Sequence, residues 1–289
     1  MNTTSDKSND PATSPEGKVE SKFLSRFTDT DQLFVRTKVA TNESKIPSIA
    51  LVRFQQLEQS IRNAPATPDP YVELGQIYIE QQRWSDARRV LDAGVKSCPE
   101  HETLVVLREE LLLHQANQMV ESAKISHSQN GSDENKYAWD QAEISYANER
   151  IKICRDRYGR HPQQTEILVN WAIGLRQLAR LDEAIELLQR ASASPELRAR
   201  ASLQLGMCYQ TLNRPLEALS AFRKASMFRE PPPEPKIRQR ALELALDLAE
   251  EISLNDSAKY YASQLLLISE SSKRSQIELR LKRLSARDL

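Results

Sequence analysis

The chain has 289 residues, with 40 Lys and Arg against 40 Asp and Glu for a formal net charge of +0. Its 7 Gly stand beside 14 Pro, with 39% hydrophobic residues; it is long enough to bury a core and too poor in glycine for a phosphate-cradling loop, a collagen or a flexible linker. Balanced charge gives no global pull toward nucleic acid or membrane, so such binding would have to rest on a local patch.

Residues 1–28 are rich in Ser, Thr, Asp, Asn and Pro, have no apolar period, and read as a disordered N-terminal tail without the apolar region of a secretory signal. Over 29–66, Asp31–Thr41 carries Phe34, Val35 and Val39 on a helical stripe, and Ser48–Arg62 carries Leu51, Phe54, Leu57 and Ile61, which predicts a degenerate helix pair. The segment 67–100 opens on Tyr71, Leu74, Gly75 and Tyr78, continues through Trp84, Ala87, Leu91 and Gly94, and stops at Pro99.

The stretch 101–163 departs from that unit. One helix is predicted from Glu102 to Ser126, with Val105, Leu112, Ala116, Met119 and Ala123 on a face. After the polar turn Ser128–Asn135, a second runs from Lys136 to Tyr158, where Trp139, Ala142 and Tyr146 echo the Trp84–Ala87 start. That second helix also bears Tyr137, Ile144, Ile151 and Tyr158 every seven residues, interleaved with Ala147 and Cys154. The spacing is that of a coiled-coil seam, and a helix apolar on two faces is packed on two sides. Each helix, ~23 residues or ~35 Å long, is expected to extend past its neighbours as an elongated hairpin.

Further along, 164–197 carries Leu168, Trp171, Ala172, Leu175, Ala184, Leu188 and Ala191, and 198–232 carries Leu205, Gly206, Tyr209, Ala218, Phe222 and Ala225. The segment 233–270 keeps Leu242, Ala245, Leu246, Ala249 and Ala258, and 271–289 sets Ile277, Leu281 and Leu284 on a basic helix fit to cap a stack. Prolines fall at the breaks between these helical patterns, and no segment alternates as a strand would.

An internal repeat organises the chain. An offset of 34 carries Arg180-Leu-Asp-Glu-Ala184 onto Arg214-Pro-Leu-Glu-Ala218, Ala172 onto Gly206 and Leu188 onto Phe222. Small residues recur in three phases, at 75, 87 and 94, at 172, 184 and 191, and at 206, 218 and 225, marking where paired helices touch. These residues resemble the tetratricopeptide repeat, a helix–turn–helix unit of 34 residues. The match is fullest over Tyr71–Pro99, while Ser202 stands where an aromatic is expected and Pro195 falls about one place early. The resemblance covers roughly two thirds of the chain. It implies an all-α, right-handed α-solenoid of antiparallel helix pairs with the elongated hairpin at its centre.

In the family, partners bind along the first helix of each unit on the concave side. The resemblance therefore implies a groove of Val72, Gln76 and Ile79, then Val169, Ile173, Arg176 and Gln177, then Leu203, Met207 and Gln210. The competing reading is that these side chains pack between successive units. The family's carboxylate clamp for chaperone tails uses Lys, Asn and Arg where this chain has Val, Gln, Ile and Met, so an extended or helical peptide with apolar anchors is the expected ligand.

No catalytic constellation is visible. The four histidines His101, His114, His127 and His161 never stand at i, i+4, and Glu109-Glu110 and Glu250-Glu251 are expected on solvent faces. The cysteines Cys98, Cys154 and Cys208 show neither disulfide nor zinc spacing. No stretch reaches the ~20 apolar residues of a membrane span. The expectation is a non-catalytic cytoplasmic scaffold with a protein partner, no cofactor, no metal and no small-molecule substrate. The rival is a binder of nucleic acid or another anionic surface through 150–160 (Arg150, Lys152, Arg155, Arg157, Arg160) and 273–287 (Lys273, Arg274, Arg280, Lys282, Arg283, Arg287). The preferred reading of those residues is a solvated face of the long helix for 150–160 and a cap of the stack for 273–287. Pro231–Pro235 reads as a stiff spacer.

Overall fold

A computed structural model describes residues 48–227, 230–269 and 271–286. Among them are twelve α-helices and no strand: α1 (Ser48–Asn63), α2 (Asp69–Glu80), α3 (Trp84–Ser97), α4 (Glu102–Gln129), α5 (Asp133–Arg160), α6 (Glu166–Gln177), α7 (Leu181–Ala191), α8 (Arg198–Thr211), α9 (Pro215–Met227), α10 (Pro235–Glu251), α11 (Asn255–Ile268) and α12 (Ser271–Ala286). Consecutive helices pack on one another, making an all-α helical repeat solenoid. The tail 1–28 and the helix expected over Asp31–Thr41 lie outside the described residues.

One turn is used four times. Gln82, Ala179, Asn213 and Ser253 follow α2, α6, α8 and α10 with φ of 58°, 57°, 55° and 58°. The amide of the next residue donates to the carbonyl five positions back, from Arg83 to Tyr78 at 2.8 Å, Arg180 to Leu175 at 2.9 Å, Arg214 to Tyr209 at 2.9 Å and Leu254 to Ala249 at 2.9 Å. This Schellman closure satisfies a helix-end carbonyl and reverses the chain. In three of the turns the arginine then caps its own loop, as Arg83 pairs with Asp86, Arg180 with Glu183 and Arg214 with Glu217. The fourth turn places α10–α11 in the same series despite its faint sequence signature.

The small residues sit where helices meet. A Cβ on Gly75 would lie 2.6 Å from Leu91 Cδ2, and one on Gly206 would run into the Phe222 ring. Ala87, Ala172, Ala184, Ala191, Ala218 and Ala225 are each 0% exposed. At the first end, Phe54 stacks on Tyr78 with centroids 5.5 Å apart, and Arg53 pairs with Glu73 at 2.5 Å, joining α1 to α2.

Helices α4 and α5 have 28 residues each, longer than the sequence period indicates. The polar run 128–135 is mostly absorbed into helix ends. Ser132 Oγ accepts from the Asn135 amide at 3.3 Å, while Asn135 Nδ2 donates to the carbonyls of Ser126 at 3.2 Å and Asn130 at 2.8 Å. At ~42 Å they are about twice as long as the 12- and 14-residue helices beside them. Their basal halves pack on neighbours: His114 lies 4.3 Å from Trp84, and Tyr158 lies 6.4 Å from Trp171. Their distal halves pack on each other, as where His127 meets Trp139 at 5.6 Å. At the far end α12 buries Ile277 and Leu284, and Arg280 ties it to Asp247 at 2.7 Å and Glu250 at 2.8 Å of α10.

Candidate partner-binding surfaces

The signature residues Tyr71, Leu74, Gly75 and Tyr78 are buried, Trp171 and Tyr209 are half-buried, and Pro99 is exposed at the end of α3. The groove candidates divide sharply. In α2, Val72 and Ile79 are half-buried and Gln76 is exposed; Gln177 and Gln210 are half-buried. Val169 and Met207 are 0% exposed, Leu203 2%, Ile173 4% and Arg176 6%. The expectation of an open lining fails at these five. Ile167 to Val169 and Ala172 to Arg176 are buried in α6, and Ala201 to Cys208 is buried without interruption in α8. A helix buried around its whole circumference has no free face. Val169 and Ile173 belong to a core with Ile151, Leu188 and Cys208.

The same seam gathers arginines. Arg150, 6% exposed, donates to Gln177 Oε1 at 3.2 Å and to the Tyr146 hydroxyl. Arg200 donates to Glu166 Oε1 at 3.2 Å and Asn170 Oδ1 at 3.1 Å, and its pKa is lowered, chiefly by burial. Sequence spacing singled out Arg176 and Gln177 but not Arg200, whose contacts with α6 cross between units.

Two residues of each basic stretch are answered by carboxylates of this chain. Arg157 Nε lies 2.5 Å from Glu109 and Arg160 Nη2 2.8 Å from its other oxygen; Arg160 and His161 also reach Glu102 at 3.5 and 3.0 Å. Glu109, expected on a solvent face, is instead 6% exposed, because two guanidinium groups accompany it into the base of the hairpin and offset the cost of burying its charge. Glu250 is likewise a partner, of Arg280, and Lys273 reaches Glu243 at 3.3 Å. Lys152, Arg155, Arg274, Lys282 and Arg283 are exposed, and Arg287 lies outside the described residues.

The Cys154 and Cys208 thiols are buried, which pushes both up to about 11, far from thiolate chemistry. Cys98 is half-buried, with its Sγ 3.3 Å from the Ala66 carbonyl. Among the described residues no group of three His, Cys, Asp or Glu side chains is placed to hold a metal ion, and no helix is long and apolar enough to cross a membrane. Pro235 opens α10 behind the extended Glu234, and Pro232 and Pro233 line a cleft with Met227, Arg238 and Tyr260.

A family model described as tetratricopeptide repeat matches residues 169–235. Among solved structures, the chain is similar to YrrB, described as a TPR protein with an unusual peptide-binding site, at 14% identity and a TM-score of 0.48 over 80% of this chain and 99% of that one. It is similar to a thermophilic TPR protein of Thermus thermophilus at 15% identity and a TM-score of 0.40, over 76% of this chain and 100% of that one. A tetratricopeptide repeat protein from Parabacteroides merdae gives 12% identity and a TM-score of 0.38, over 93% and 100%. Comparison with curated proteins found no match.

Proposed function

We propose that this chain is a tetratricopeptide-repeat scaffold, non-catalytic, that captures a segment of a partner protein along the accessible side of α2 and the C-terminal ends of α6 and α8. The observation that carries the reading is the repeated pairing of α2–α3, α6–α7, α8–α9 and α10–α11 through one turn, with close contacts at Gly75 and Gly206 and fully buried alanines at Ala172, Ala184, Ala245 and Ala258. Such stacking holds a surface in place before binding, so the receptor loses little freedom when a partner docks. The residues left to contact a partner are Val72, Gln76 and Ile79 of α2, with Gln177 and Gln210; the buried five serve as the packed floor beneath them. The three free cysteines favour a reducing compartment such as the cytoplasm.

The polyanion reading finds less support, since Arg157, Arg160, Lys273 and Arg280 each have a carboxylate of the same chain within 3.3 Å. Affinity purification from the native cell at moderate and high salt tests both readings. The triple variant Gln76→Arg, Gln177→Glu, Gln210→Glu is expected to keep the helical circular-dichroism signal and to recover the partner at about a tenth of the wild-type level or below. Undiminished recovery sinks the groove reading. Recovery of nucleic acid that collapses as salt rises would favour the rival.

A further inference from the structure

The stripe Tyr137, Ile144, Ile151 and Tyr158 runs along one line of α5, and α6 covers only half of it. Ile151 is 9% exposed, and its Cγ1 lies so near Gly174 that a Cβ there would be 2.9 Å away. Tyr158 meets Trp171 at 6.4 Å. Following the stripe toward the start of α5 moves from Trp171 to Gly174 to Gln177, which receives a hydrogen bond from Arg150 at 3.2 Å. There α6 ends. The stripe does not: Ile144 is 39% exposed and Tyr137 66%. The same interface that seats α6 therefore continues, uncovered, onto the distal half of the hairpin.

Its rim has a definite charge. Three carboxylates, Asp133, Glu134 and Asp140, stand three or four residues from Tyr137 or Ile144 on the same side of α5, with Lys136 the one base among them. Asp133 and Glu134 are exposed in the first turn, and Asp140 lies between Tyr137 and Ile144 at helical spacing. Continuity with the α5–α6 interface specifies a helix with an apolar stripe and a small residue at the crossing, as Gly174 is in α6. The acidic rim specifies that helix's flanks.

We propose that the exposed end of this stripe, centred on Tyr137 and Ile144, is a docking site for an amphipathic helix of a partner protein, apolar on one face and lined with Lys or Arg. The site is separate from the groove edge proposed above and does not depend on it.

The test uses the full chain and two synthetic helical peptides about three heptads long. Both have one Leu/Ala stripe, flanked by Lys and Arg in one and by Glu in the other, and binding is read by fluorescence anisotropy. The basic peptide is expected to bind about tenfold tighter than the acidic one or better. Tyr137→Ser with Ile144→Ser is expected to weaken it by about tenfold, and Asp133→Asn, Glu134→Gln, Asp140→Asn to erase the preference. The Gln76→Arg, Gln210→Glu variant is expected to bind it like wild type, which separates this site from the groove. Equal binding of the two peptides overturns the proposal, as does binding that survives the Tyr137 and Ile144 changes. Self-association of the chain that the same double variant abolishes, without peptide binding, would assign the face to a second copy and likewise overturn it.

Discussion

His114 shows how one side chain becomes conditional on its neighbours. It lies half-buried against Trp84 at 4.3 Å, with its Nε2 buried and without a hydrogen-bond partner. Burial lowers its pKa below that of an ordinary imidazole, because the charged form loses water that nothing polar replaces. The unfolded chain then binds more protons than the folded one below the ordinary value of about 6.5, so stability falls as the pH drops through that value toward the folded pKa. Between about pH 7.5 and pH 5 the wild type is expected to lose more Tm than His114→Gln, read by thermal melts followed at 222 nm; equal losses would mean that His114 is solvated. Glu109 makes the complementary point. Its sequence neighbours suggest a solvated acid, yet Arg157 lies 48 positions away in the chain and beside it in space.

At the scale of elements, the repeated turn has an unexpected feature. All four left-handed positions are filled by residues other than glycine, although that conformation costs an L-residue about 1–2 kcal/mol. Ala179 is exposed and has no side-chain polar group to offset the strain. Ala179→Gly is expected to stabilise the chain by about 1 kcal/mol, a rise of roughly 2–4 °C in Tm for a chain of this size; an unchanged or lower melt would mean that the turn is not strained. Glycine scarcity hid these turns from sequence reading, which locates helix reversals by Gly and Pro. The hairpin was legible as two long helices. Its ends were not, because the Ser132 cap and the Asn135 hydrogen bonds turn a polar run into helix termini.

Across the whole molecule, the main revision concerns which faces remain free. Val169 and Ile173, expected from the sequence to line a groove, lie in the core, at 0% and 4% exposure. Placing two carboxylates there leaves buried charges without partners, a loss of several kcal/mol. Val169→Glu with Ile173→Glu is therefore expected to abolish the cooperative melt rather than merely block a ligand. Retention of the wild-type melt would return these positions to an open groove.

The amino-acid sequence by itself determined the helical class, the proline-marked breaks and the phase of the repeat. Those depend on periods and small-residue spacings that each unit carries within itself. Only the tertiary structure decided how charge and burial were distributed: Glu109 inside, Arg157 and Arg160 paired, α8 enclosed, and the Tyr137–Ile144 end of α5 uncovered. A helical stripe states that a face is apolar, whereas the element that covers it comes from another part of the chain, or from outside it. The balanced composition showed the same limit, since equal counts of acids and bases do not reveal which of them meet.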